Sequence, residues 1–158
     1  MSRQEYYHDT NRPAANSIAP AAFAAVRDAS GRILLVRRID SGNWELPGGR
    51  IEVGESASTA AEREVVEESG IKIRVTRLAG LYSDPGHVTV YPATGEARQQ
   101  FAVCLHALPV DGEPHPDNQE TCDAAWVDPT HLEQLPIHPS MRQRITDALT
   151  EPNTPHLG

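Results

Sequence analysis

Glu64, Glu67 and Glu68 stand within about one turn of each other if their segment is helical. At about 100° per residue they share a face with Ala57, Ala60 and Ala61. Three carboxylates so placed repel one another, and more strongly where they are partly buried. An ordinary amphipathic helix sets leucine or valine beside alanine and glutamate opposite. Here small residues clear space next to the acids, and a divalent cation would turn their repulsion into attraction. A hard cation takes such oxygen ligands. Upstream, Pro47-Gly48-Gly49 lets the backbone approach an anion or a metal closely. The plain alternative is a solvated acidic face.

These residues need a helix to carry them. Ser56 to Ser69 reads as one, with Ser56 as N-cap and Gly70 just past the end. Before it, Pro20–Arg27 and Ile33–Val36 read as a hairpin around the Asp28–Gly31 turn. Residues 39–48 read as a loop and Arg50–Val53 as a short strand. After it come strands at Ile71–Val75 and Leu78–Tyr82, then a hairpin of Val88–Tyr91 with Gln99–Leu108. Residues 109–120 read as a loop, Ala124–Val127 as a last strand and Pro139–Leu149 as a terminal helix. Strands, helix, strands, helix make a mixed α/β (α+β) domain, a sheet covered by helices. The expected division is an arm over 1–16, one domain over 17–150 and a flexible tail over 151–158.

The chain has 158 residues, with 14 Lys and Arg against 22 Asp and Glu, a formal charge of −8. That balance speaks against a nucleic-acid partner and against docking on an anionic membrane by charge. The longest apolar run, Ile18 to Val26, is interrupted by Pro20 and is too short to span a bilayer. Two cysteines form no disulfide framework and no zinc pattern, so a reduced cytoplasm is the expected location. The seven histidines show no metal-ligand spacing and read as surface or core residues.

From Gly49 the chain reads G-RIEVG-E-SASTAAE-R-E-V-V-E-E-S-G-I. This resembles the Nudix box, G-x5-E-x7-R-E-U-x-E-E-x-G-U with U apolar, at every specified position. The chain is therefore similar to the Nudix (MutT-type) hydrolases. The resemblance implies an α/β/α sandwich around a mixed central sheet. It implies hydrolysis of a nucleoside diphosphate linked to another group, with Mg²⁺, or Mn²⁺ in its place. On that match Glu67 and Glu68 are the main metal ligands and Glu64 a ligand that can also act as base. The Gly48 carbonyl is a backbone ligand, Arg63 orients Glu67, and Glu55 is structural. The box holds six acids and two Arg, a net of −4, so without metal it should repel its polyanionic substrate.

Many relatives add a Glu from the loop before the last strand. Glu120, six residues before Trp126, is the candidate here as fourth ligand or general base, and Glu96 is its rival. The choice of base between Glu64 and Glu120 stays open. Tyr82, Tyr91 and Phe101 could stack a base, and Arg37, Arg38 and Arg98 could hold phosphate. Sheet packing and plain surface Arg are the alternatives. Pro85, fifteen residues after Gly70, resembles a marker of the family's ADP-ribose pyrophosphatases. The expected partner is thus a small nucleotide: ADP-ribose or another nucleoside diphosphate sugar first, a damaged (d)NTP second. The resemblance also allows a homodimer. The competing function is a Nudix-fold module that senses a nucleotide without turnover.

Overall fold

The structure is a computed structural model and describes residues 3–158. Its elements, in chain order, begin with β1 (Gln4–Tyr7), β2 (Ser17–Val26), β3 (Ile33–Arg38), β4 (Trp44–Glu45) and β5 (Gly48–Arg50). Helix α1 (Ala57–Ser69) follows, then β6 (Lys72–Tyr82), β7 (His87–Tyr91), β8 (Glu96–Asp111) and β9 (Thr121–Val127). A 3-10 turn (Pro129–Gln134), α2 (Pro139–Thr150) and β10 (His156–Leu157) complete it.

Alternation along β2 builds the layers. Ala22, Ala24 and Val26 face one core with Leu34, Ile71 and Leu105, and α1 covers it with Ala60, Ala61 and Val65. Phe23 and Ala25 face the other, with Ile33, Leu35 and Leu46, under Met141, Ile145 and Ala148 of α2. Each fully buried Val or Ile stabilises the fold by about 2 kcal/mol. The result is an α/β/α sandwich. Seven strands form a mixed sheet in the order β1-β7-β8-β2-β5, with β6 also on β8 and β10 on β6; β2 and β8 run parallel. A second sheet has the order β4-β3-β9.

Three expectations change. The 28–31 turn forms, with Gly31 at φ +83°, but β2 and β3 meet only at the Arg27–Ile33 bridge. They are not a hairpin. Ile33 to Val36 are all fully buried, so this run needs cover on both faces, and it finds that in the second sheet beside β9. The short strand expected at Arg50–Val53 is instead Gly48–Arg50, because only glycine lets β5 lie against β2. A Cβ on Gly48 would stand 2.3 Å from the Ala22 carbonyl oxygen. Val53 is fully exposed. Finally, the tail expected to be loose ends in β10, paired in parallel with Gly80–Leu81.

Within the 1–16 segment, β1 pairs antiparallel with β7 at the sheet edge. It brings the Glu5 carboxylate to His87 Nε2, 2.5 Å away, and near His138 Nδ1 at 3.6 Å. Burial pushes Glu5 up, but the His87 hydrogen bond and the charges of His138, His87 and Arg3 hold it at about 2. The native state thus favours the charged form. The resulting stability is present above the ordinary carboxylate value near 4.5 and is lost as pH falls from there towards 2. Its size is at most about 3 kcal/mol. Urea midpoints measured through this window should fall for wild type and fall less for Glu5→Gln. Among the described residues, no helix is long and apolar enough to cross a membrane.

Candidate active site

The α1 N-terminus is closed by a capping box. Ser56 Oγ accepts from the Thr59 backbone N–H at 3.1 Å, and Thr59 Oγ1 accepts from the Ser56 N–H at 2.9 Å. Gly70 ends the helix at φ +74°, its N–H donating to Val66 O at 2.9 Å. A helix so fixed at both ends holds its carboxylates in a set order across the β5 edge.

Glu68 is buried, 3% exposed, on the side of α1 that faces β5. Its Oε2 accepts one hydrogen bond, from the Gly48 N–H at 3.1 Å. Burial raises this carboxyl well above the ordinary range, and the Glu45 and Glu64 charges raise it further against the Gly48 bond and Arg38. Glu64 is half-buried and is raised by burial against its bond to Arg63, with Glu67 and Glu120 adding repulsion. Glu67 is the exposed member, its side chain 54% accessible.

Arg63 is the hub. It donates to both Glu55 oxygens (2.5 and 3.0 Å), to Glu64 Oε1 (2.9 Å), to Glu67 Oε2 (3.2 Å) and to the Arg50 carbonyl (3.1 Å). It therefore holds Glu64 as well as Glu67. Glu55, pulled down to about 2 by Arg63 and the Glu52 N–H, anchors it.

Glu120 is exposed and sits on a loop wound around Asp117. Asp117 Oδ1 accepts the backbone N–H groups of Gln119, Glu120 and Thr121. Thr121 Oγ1 donates to the Glu68 carbonyl at 3.1 Å, which fastens this loop to α1. Glu64, Glu67, Glu68 and Glu120 consequently line one open recess of about 460 Å³. The rival, Glu96, is taken up by Arg98 and Ser17.

Beside the recess lies a cleft of about 590 Å³ that Glu64, Glu68 and Glu120 also line. Its other walls carry Arg3, Arg38, Arg50 and Arg98, together with Tyr91. The Arg98 guanidinium lies 4.6 Å from the Tyr91 ring centre. Asp40 and Glu45 line the cleft too and pair with Arg3 and Arg38, so acids and arginines alternate around it.

The donor set fits a hard divalent cation. Glu68 is a buried carboxylate with a single N–H donor and two acidic neighbours, and every candidate ligand atom is oxygen. The carboxylates are not drawn into a tight knot, however. Among the described residues, only Glu5, His87 and His138 place three such ligand atoms within 4.8 Å of one another. Arg63 engages Glu64 and Glu67, whereas Glu68 is held by the Gly48 N–H.

Gly49 is required for a local reason. A Cβ there would come within 2.6 Å of the Glu64 carboxyl. Gly49→Ala is expected to fold normally, since that carboxyl is the end of a flexible side chain. It should lower kcat by about 10²-fold through displacement of Glu64. Kinetics with a matched melting curve checks both halves.

Other sequence assignments fare unevenly. Trp44 and Trp126 both pack on the cores. Tyr91, Arg38 and Arg98 reach the cleft, whereas Tyr82 and Pro85 line a different cavity. Cys104 is buried and Cys122 exposed, both free. Glu45, inside the expected 39–48 loop, was missed. It is buried next to Glu68 and held by Arg38 at 3.3 Å, and no spacing in the sequence marks it.

A family model described as the NUDIX domain matches residues 18–148. A Bacillus subtilis protein described as a putative 8-oxo-dGTP diphosphatase is 34% identical over 131 residues, 80% of this chain and 76% of that protein. A MutT-like protein of Streptomyces ambofaciens is 30% identical over 126 residues, 80% of this chain and 73% of its own length. The crystal structure of an ADP-ribose pyrophosphatase from Streptococcus suis superposes with a TM-score of 0.69 at 20% identity. That match covers 90% of this chain and all of the other, and speaks for the fold.

Proposed function

The chain belongs to the Nudix hydrolase family and is a nucleotide pyrophosphatase; from that premise we propose that it splits the diphosphate of a nucleoside diphosphate carried on another group, using Mg²⁺ or Mn²⁺. ADP-ribose or another nucleoside diphosphate sugar is the first substrate. A modified (d)NTP is the second reading, favoured by the name of the Bacillus subtilis relative. Pro85, the sequence marker for ADP-ribose, lies away from the cleft and adds no contact there. The observation that carries the proposal is the buried Glu68 carboxylate in a cleft that Glu64, Glu120 and several arginines also line.

Glu64, Glu67, Glu68, Glu120 and the Gly48 carbonyl would hold the ion. When bound, it polarises the phosphoryl oxygens and lowers the pKa of a bound water. Arg63 fixes the angle of Glu64 and Glu67 through its fork. Arg50 offers donors to the phosphates from the cleft lining, with Arg38 and Arg98, now paired to Asp40, Glu45 and Glu96, beside it, and Tyr91 offers a ring face to a nucleobase. Glu64 and Glu120 both reach the cleft to accept the proton of the attacking water. Cytoplasmic action and a homodimer go with this reading; sedimentation tests the second.

The test is a panel of ADP-ribose, nucleoside diphosphate sugars, dGTP and 8-oxo-dGTP with Mg²⁺, with product masses read in ¹⁸O water. Turnover of at least one is expected, lost in EDTA and restored by Mg²⁺. Undiminished turnover in EDTA would overturn the metal assignment. Tight binding of one compound with turnover of none would favour the sensor.

A further inference from the structure

On the α2 side of the sheet, away from the acidic recess, lies a cavity of about 410 Å³. Arg144 of α2 forms part of its lining and is only 5% exposed. The guanidinium is clamped between two rings, 5.4 Å from the Phe23 centre and 5.3 Å from that of Tyr82. Its Nε is fully buried with no hydrogen-bond partner, and no ion pair to Arg144 is present among the described residues. The nearest acid on its own helix, Asp147, accepts instead from the Tyr82 hydroxyl at 2.8 Å and lies 3.5 Å from His156 Nδ1.

A permanent cation buried in this way is costly unless it is paired. The two ring faces offset part of that cost. They accept none of its N–H groups, which form a fork suited to a carboxylate or phosphate. The rest of the lining is mostly donor or apolar. Ser140, Gln143 and Tyr7 supply polar groups, and Pro85 and Tyr82 supply apolar wall. The acid in the wall, Asp84, is paired with His8 at 2.7 Å. Gly158 also lines the cavity, and among the described residues no ion pair joins it to Arg144.

We propose that this cavity is a second ligand site, which takes a small oxyanion, phosphate or carboxylate, on the Arg144 fork. It is separate from the catalytic cleft, though Phe23 touches both: its ring packs against Arg144, and it lines the cleft. An occupant would pair with the cavity side of a guanidinium that the fold already holds in place, while its Nε stays buried.

Inorganic phosphate and acetate are the probes, added to the full chain in EDTA at matched ionic strength against chloride. Phosphate, acetate or both should raise the melting temperature and shift the Arg144 Nε and Ser83 signals in NMR, and the comparison of the two shows which oxyanion the site prefers. Two variants locate the effect. Arg144→Met should bind about tenfold or more weakly, and should melt no lower than wild type without anion, since it removes an unpaired buried charge. Gln143→Glu, at an exposed rim position, should fold as wild type and lose the shift as well, because its carboxylate both repels the anion and competes for the fork. The proposal is overturned if neither anion has an effect. Shifts that persist in both variants, or that appear at Gly48, Gly49 and Arg98 with none at Arg144 or Ser83, would overturn it equally.

Discussion

Glu68→Gln is expected to lower turnover about 10³-fold while leaving the protein at least as stable as wild type, the loss equalling several kcal/mol of charge stabilisation. The two effects have opposite signs because Glu68 is costly to the fold. Its carboxylate is buried, accepts one N–H and is repelled by Glu45 and Glu64. A neutral amide of the same shape keeps an oxygen for the Gly48 N–H and removes the repulsion. What it cannot supply is the negative charge that grips a cation. The checks are steady-state rates across a Mg²⁺ titration and a melting curve without metal. A wild-type rate at ordinary Mg²⁺ would sink the ligand assignment. A large fall in stability would show that Glu68 serves the core instead.

Arg63→Lys is the second large effect, expected at about 10²-fold in kcat with under about 1 kcal/mol of stability. Lysine keeps the charge and loses the fork. Arg63 now reaches Glu55, Glu64, Glu67 and the Arg50 carbonyl at once, which a single ammonium cannot do. Its ion pairs are partly exposed, so their loss costs the fold little. The rate suffers because Glu64 and Glu67 lose their fixed directions. Since Arg63 acts through those carboxylates, kcat and apparent Mg²⁺ affinity should fall together while KM changes less. Equal losses in rate and stability would mean a merely structural role.

The helix and its caps were legible in the residues. Ser56 bonds Thr59 three residues on and Gly70 bonds Val66 four residues back, so local chemistry at each end determined α1. The acidic face was legible for the same reason, since helical spacing alone puts Glu64, Glu67 and Glu68 side by side. So was the hairpin of β7 and β8, whose strands are close in sequence. Local pattern misled at Gly48-Gly49, which reads as loop by propensity. It is a strand because Ala22 leaves room for nothing larger.

The sequence by itself determined the reacting group types, their order along one helix and the family they point to. Tertiary structure alone decided which acid is buried and which is free, since Glu68 and Glu67 are neighbours in the chain and opposites in exposure. It also decided that Glu45 and Glu120 lie near Glu68, that Pro85 does not, and that Arg144 is buried at a cavity wall without a paired acid among the described residues. The physical reason is range. Capping and helical spacing act over about four residues. Burial and charge repulsion act through space, between segments that the sequence leaves tens of residues apart.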